Sequence, residues 1–156
     1  MVQAIPDGYR SLTPYLRCRD AAAAMDFYKK AFGAEEIARM PGPSGKIMHG
    51  EMRIGDSMLM LGEENTQMKM HSPASLGGSA TGLHIYVNDV DKAFARAVSA
   101  GCTVAMPLMN MFWGDRYGKL VDPFGHEWSI ATHVEDVPPE EMPARAAEAM
   151  KQFCKE

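Results

Sequence analysis

Among the residues of this chain whose groups a metal centre or a proton-transfer site requires, His49, Glu51, His84 and Glu127 are the candidates. Imidazole and carboxylate ligate zinc, nickel or iron, and both also take and give protons near neutral pH. His49 and Glu51 lie two apart in His49-Gly-Glu-Met-Arg-Ile, whose polar alternation puts them and Arg53 on one strand face. Glu51 and Glu127 are the candidate bases for a metal-free reaction, which would need a perturbed carboxylate. A second region of interest is Met109-Asn-Met-Phe-Trp-Gly-Asp-Arg-Tyr117. Its apolar bodies beside one acid–base pair have the composition of a ligand lid. They equally suit a loop in which Asp115 and Arg116 pin the backbone while Phe112 and Trp113 plug an edge. His126, next to Gly125, reads as a turn cap, and His133 as a hydrogen-bonding residue at a strand end.

The elements that must position these groups occur twice. Leu12–Cys18 alternates and is rich in strand formers; Asp20 caps a helix that stops at Gly33. Glu35–Met40 reads as a strand and Pro41–Gly45 as a loop. Lys46–Ile54 and Ser57–Leu61 form a hairpin across Gly55-Asp56. The order β-α-β-β-β then recurs: strand Leu83–Val87, cap Asp89, helix Val90–Ala100 closed by Gly101, and strand Cys102–Met106. A loop through Trp113 follows, then strands Arg116–Asp122 and His126–Thr132 around Pro123-Phe-Gly125. Adding 69 carries Leu16 onto Ile85, Asp20 onto Asp89 and Leu61 onto Ile130, the mark of a duplicated supersecondary unit. The first unit spans about 11–64 and the second about 82–134, joined by a Gly/Ser/Pro-rich linker over 65–81. After Pro138-Pro139, a helix over about 139–153 carries Met142, Ala146, Ala149, Met150 and Phe153 on one stripe. It is read as packing on its own subunit, or alternatively as capping a dimer.

Composition narrows the function classes. The 156 residues are 46% apolar and 23% charged with a net charge of −4, which gives no basic footprint for nucleic acid. No apolar run is long enough to cross a membrane, and the N-terminus has no secretory pattern, so a cytoplasmic protein is expected. Cys18, Cys102 and Cys154 are odd in number and form no CxxC pair, which reads as buried or incidental thiols. There is no GxSxG elbow, phosphate-binding loop or GxGxxG fingerprint. The 14 methionines, bunched at Met58/Met60, Met68/Met70 and Met106/Met109/Met111, suit an adaptable core or an adaptable pocket.

Three segments carry a family likeness: Ala4–Leu16 running into Ala24-Met-Asp-Phe-Tyr-Lys-Lys-Ala-Phe-Gly-Ala-Glu35, then His49–Leu61, then Phe112–His133. They resemble the vicinal oxygen chelate superfamily, which includes glyoxalase I, extradiol dioxygenases and the fosfomycin- and bleomycin-resistance proteins, and within it the PhnB-like branch. The resemblance implies an α+β fold: two tandem βαβββ units form a cupped mixed sheet with helices on its outer face and a ligand site in the cup. A C-terminal helix is added to it here. The likeness also implies a homodimer. Metal-dependent members hold a divalent ion with two His or Gln and two Glu, one each from the first and last strands of both units. Those positions fall at Thr13, Met60, Gly82 and Ser129 in this sequence. They do not make a first shell for a dication.

Parity from Ser129 turns Glu127, Ala131 and His133 into the cup, with Thr13, Tyr15, Arg17, Gly82, His84, Tyr86, Met58 and Met60. The expected ligand-binding residues are therefore Tyr15, His49, Met58, Met60, His84 and Tyr86 from the strands. Phe112, Trp113 and Arg116 join them from the lid. The function expected is binding of a small organic ligand without a metal cofactor. The alternative is a metal-dependent lyase, isomerase or dioxygenase using a relocated site at His49, Glu51, His84 and Glu127. Against the alternative, His84 and Glu127 are displaced in opposite directions from Gly82 and Ser129, which suggests a separation of roughly 13 Å at 3.3 Å per residue.

Overall fold

The computed structural model describes residues 2–153, with the side chain of Phe153 left out. Its elements run β1 (Tyr15–Cys18), α1 (Ala21–Phe32), β2 (Glu35–Pro41), β3 (Ile47–Ile54), β4 (Ser57–Glu63) and α2 (Pro73–Leu76). They continue as β5 (Gly82–Tyr86), α3 (Val90–Ala100), β6 (Thr103–Asn110), β7 (Asp115–Val121), β8 (Glu127–His133) and α4 (Met142–Phe153). The fold is α+β, with two tandem βαβββ units and a C-terminal helix. The strands make two four-stranded sheets, ordered β1-β4-β3-β2 and β5-β8-β7-β6, each with one parallel pair.

The duplication is visible in the hydrogen-bond register. Tyr15 pairs with Met60 and Leu16 with Leu61; 69 residues later His84 pairs with Ser129 and Ile85 with Ile130. Both long helices start from an aspartate in extended conformation. Asp20 accepts from Ala23 N at 2.9 Å, and Asp89 accepts from Lys92 N at 3.1 Å. Gly33, at φ +66°, ends α1 in the left-handed region.

One face of each sheet packs under helices. Leu16, Cys18, Leu59 and Leu61 meet Ala24, Met25 and Tyr28, and Leu120, Trp128 and Ile130 meet Val90, Phe94 and Ala97 in one continuous core. The two units adhere through this layer. Phe32 lies against Trp128 at a centroid distance of 4.3 Å, and Tyr28 meets Trp128 edge-on at 5.4 Å. The Arg96 guanidinium of α3 donates to the last carbonyls of α1, Lys30 O at 2.6 Å and Lys29 O at 3.0 Å, a cation on the negative end of the helix. Asp122, buried in the β7–β8 turn, accepts from Tyr28 Oη at 2.7 Å, Trp128 Nε1 at 2.9 Å, and the backbone of Phe124 and His126. His126 also reaches across the units, with Nε2 3.0 Å from Arg17 O and 3.7 Å from Cys18 Sγ.

Several boundaries differ from the sequence expectation for definite reasons. The first strand starts at Tyr15 rather than Leu12. Pro14 has no N–H, only its carbonyl joins the ladder by accepting from Met60 N, and Leu12 stays 87% exposed. The sixth strand continues to Asn110, because register shifts on either side of Met106 carry it past Pro107 on the sheet edge. The linker contains two short helical turns capped by Asn65 and Ser72. Glu64 gathers Ser75 Oγ, Ser72 Oγ and Ser72 N, and these bonds hold its carboxyl at about 2. Among the described residues of α4 none is buried; it is tied at its start by Arg145 to Glu135 and Glu141, and Met150 stays 66% exposed. Cys18 and Cys102 are buried free thiols; Cys154 lies outside the described residues. No helix among the described residues is long and apolar enough to cross a membrane.

Candidate functional site

The helix-free faces of the two sheets carry the chemistry, because strand alternation sends every second side chain away from the core. On the first sheet, Tyr15, Met60 and Glu51 stand side by side across β1, β4 and β3, and Arg17, Gly62 and His49 occupy the next level. Tyr15 Oη lies 2.9 Å from His49 Nδ1, and His49 Nε2 lies 3.1 Å from Glu51 Oε1, making one continuous hydrogen-bond chain. Rings of Tyr15 and His49 meet edge-on at 5.5 Å, and the Arg17 guanidinium sits 4.2 Å above the Tyr15 ring. Among the described residues, the Arg17 side chain has no hydrogen bond and no ion pair, although it is half-buried.

The N-terminal segment lies over part of this face. Ile5, Pro6, Tyr9 and Arg10 enclose a pocket of about 480 Å³ against Glu51 and Met60. Tyr9 Oη is buried without a partner of good hydrogen-bond geometry. Burial, then the Glu51 carboxylate beside it, push this phenol up to about 12. In return the Tyr9 hydroxyl, followed by the His49 bond, holds Glu51 below its ordinary value.

The second sheet assembles a different group. His84 Nδ1 is 2.7 Å from Ser129 Oγ, and its ring stacks on Tyr117 at 5.8 Å and meets Tyr86 edge-on at 4.6 Å. Asp115, 3% exposed, accepts from Tyr86 Oη at 2.8 Å and Trp113 Nε1 at 3.0 Å, and pairs with His133 Nδ1 at 2.8 Å. Burial works to raise Asp115, but the bonds from His133, Tyr86 and Trp113 outweigh it and hold the carboxyl down. Phe112 packs edge-on against Trp113, which meets Tyr117 in turn. The 111–114 loop is therefore fastened to the sheet face by its own tryptophan. Between the two units a cleft of about 1070 Å³ opens, lined by Thr13, Met58, Gly82, His84 and Tyr86 and, from the helix layer, by Phe32, Lys92, Arg96 and Trp128.

Most residues expected on the inner face are there, in two groups rather than one. His49, Glu51, Tyr15 and Met60 lie together, as do His84, Tyr86, Trp113 and Phe112. Arg116 does not join them: it lies on the opposite face, with Nε and Nη2 on the Asp91 carboxylate of α3 at 2.8 and 2.7 Å. Its position, next to inward-facing Asp115 and Tyr117, gives the reason, since adjacent strand residues point to opposite faces. Glu127 is exposed at the head of β8, opposite Gly82 and Val121. Sequence reasoning missed Tyr9 and the free Arg17. No local pattern marks the fold-back of residues 4–11, whereas Arg17 was readable as inward but had no visible partner set.

Residues 11–130 match the Glyoxalase/Bleomycin resistance protein/Dioxygenase superfamily. The chain belongs to that superfamily. It is 47% identical over 137 residues to the uncharacterized protein Mb0911c of Mycobacterium bovis, covering 86% of this chain and 90% of that one. Its fold is similar to the crystal structure of TioX from Micromonospora sp. ML1, at TM-score 0.64 and 27% identity over 80% of this chain and 99% of that one. It is likewise similar to the Arabidopsis thaliana At5g48480 product, at TM-score 0.61 and 26% identity over 78% and 96%.

As a member of the superfamily, the chain can be tested against the divalent ion many members hold. Thr13, Met60, Gly82 and Ser129 offer two hydroxyls, a thioether and no side chain at all, and the Ser129 hydroxyl is already engaged by His84. This donor set does not fit a hard or borderline dication. The relocated set fares no better. Glu127 is opposite Gly82 and His84 opposite Ser129, so the two are about 7 Å apart along the strands rather than 13 Å. Even so, no group of three or more His, Cys, Asp or Glu among the described residues converges to hold an ion.

Proposed function

We propose that the protein binds a small organic ligand in the cup formed by the two sheet faces, through its own side chains where metal-dependent relatives use an ion. The observation carrying this reading is the residue set at the family's ligand positions, Thr13, Met60, Gly82 and Ser129, of which Thr13 and Gly82 line the large cleft and Met60 the smaller pocket. Met58 and Met60, with Met109 opposite Tyr117, give that surface soft apolar walls, and the tyrosines and histidines supply a few placed polar groups. The sequence segments quoted above support a place in the PhnB-like branch, and we extend the proposal to a homodimer in the cytoplasm.

The test uses protein purified without chelator. Metal analysis is expected to find no stoichiometric divalent ion, and anilinonaphthalene sulfonate is expected to bind saturably. Met60→Glu, which restores a carboxylate at the family's position, is expected to weaken that probe at least about tenfold. A stoichiometric ion, or probe binding indifferent to Met60→Glu, overturns the reading.

A further inference from the structure

We propose that Tyr15, His49 and Glu51 form a metal-independent proton-transfer site, acting on a small carbon acid whose carboxylate is held by Arg17. The proposal rests on the reading of the cup as a ligand site and assigns chemistry to one part of it.

The geometry is that of a relay. His49 is gripped at both ring nitrogens, by Tyr15 Oη at 2.9 Å and by Glu51 Oε1 at 3.1 Å. With Nε2–H donated to the carboxylate, Nδ1 is left to accept the phenol proton, so the second bond selects the tautomer that the first requires. Tyr15 is 44% exposed on the inner face. It is flanked by Thr13 and Pro14, which line the large cleft, and it pairs with Met60, which lines the smaller pocket. Tyr15 is more exposed than His49 and Glu51, whose side chains are each 25% exposed, so its phenol oxygen is the end of the chain open to a ligand, while His49 and Glu51 act through it as positioning residues. The Tyr9 phenol encloses the other end and favours the ionised carboxylate that a charged imidazole needs beside it.

Arg17 supplies the second half of the argument. Arg17 is half-buried and has no acidic partner among the described residues, and pairing would normally offset the desolvation of such a cation. Its place over the Tyr15 ring sets five donors next to the reacting oxygen, in the fork that carboxylates recognise. A 2-oxo acid seated with its carboxylate on Arg17 would bring the carbon beyond its carbonyl, the acidic one, towards Tyr15 Oη.

The step balances without a cofactor. As Tyr15 oxygen takes a proton from carbon, His49 Nδ1 takes the phenol proton, and the C–H electron pair becomes the C=C bond of an enolate. The enolate oxygen carries the negative charge and His49 becomes an imidazolium, bonded to Glu51. Protonation at the same carbon restores the substrate, and protonation at the enolate oxygen gives the enol; either returns the proton from His49 and restores the relay. Nothing is oxidised or reduced.

Phenylpyruvate is a suitable probe, since it joins a carboxylate, an acidic benzylic proton and an apolar ring. Loss of that proton to heavy water, followed by NMR with protein dialysed against EDTA, is expected to run faster than in buffer. Tyr15→Phe and His49→Gln are each expected to slow it by about 100-fold at saturation, with thermal unfolding reporting that both remain folded. Glu51→Gln is expected to lower the rate less and to displace its pH profile. Arg17→Gln is expected to raise the half-saturating concentration about tenfold. Bound phenylpyruvate with exchange no faster than buffer, exchange abolished by EDTA, or folded Tyr15→Phe at the wild-type rate each overturns the relay. Anilinonaphthalene sulfonate binding without phenylpyruvate binding overturns the carboxylate assignment; binding of neither overturns the cup reading itself.

Discussion

The two inner faces share a backbone and exchange a pair of side chains. Tyr15 and His49 touch on the first sheet; 69 and 68 residues on, His84 and Tyr117 touch on the second. What differs is the carboxylate. The first sheet has Glu51 opposite Met60, whereas Lys119 is opposite Ser129 at the matching place. His84 therefore turns to the Ser129 hydroxyl. The acid of the second face, Asp115, instead gathers Tyr86, Trp113 and His133 and fastens the loop. One duplicated frame has thus produced an open polar chain beside a free guanidinium and a locked polar cluster under a tryptophan. The identity of two or three residues, at fixed register, decides which.

The helix side breaks the symmetry in the same direction. The first hairpin turns at Gly55-Asp56, while the longer turn of the second unit carries Asp122 back to Tyr28 of the first. Asp122→Ala should give the largest loss of stability, about 3–5 kcal/mol, because it leaves buried donors from Tyr28, Trp128 and the turn backbone unpaired. Denaturant unfolding measures it; a loss under about 1 kcal/mol would mean the units do not depend on this clamp. Asp115→Ala should come next, at about 2–3 kcal/mol, with Trp113 fluorescence shifting to the red as the loop is released. Unchanged emission would show that the loop is held by packing alone.

Much of this is legible in the sequence. Capping aspartates, stop glycines and the 69-residue offset depend on local chemistry and period, so both units and most boundaries could be read directly. Strand parity placed Tyr15, His49, Glu51, His84 and Tyr86 on the helix-free face for the same reason. Arg116 illustrates the limit. It stands first in the expected strand Arg116–Asp122 but is grouped with the lid by composition, whereas alternation along the observed strand sends it to the face opposite Asp115 and Tyr117. The Tyr9 and Glu51 contact was not readable, because it depends on a chain segment folding back over a sheet more than 40 residues away in sequence.

The pH response separates the faces further. His133 sits between Asp136 and Asp115, and those two bonds raise it above its ordinary value. A raised folded-state value contributes stability that is fully present below about pH 6.5, the unfolded value, and is lost as pH rises through the folded one. Wild-type protein should therefore lose stability across that window relative to His133→Gln, whose profile should be flatter there. Parallel profiles would remove His133 from the loop's anchorage.

The smallest effect is expected on the open face. Tyr15→Phe removes one hydrogen bond from a side chain that is 44% exposed, and water replaces the bond His49 loses. The cost should stay below about 1 kcal/mol, against the larger loss for Asp115→Ala on the locked face. Arg17 keeps its stacking on the ring in either variant, since the cation attracts the face of the ring and not the hydroxyl. A Tyr15→Phe variant nearly as damaged as Asp115→Ala would make the chain a structural brace like its counterpart. Near-native stability with a changed ligand response would set the two faces apart, one built to hold the fold and one left free to act.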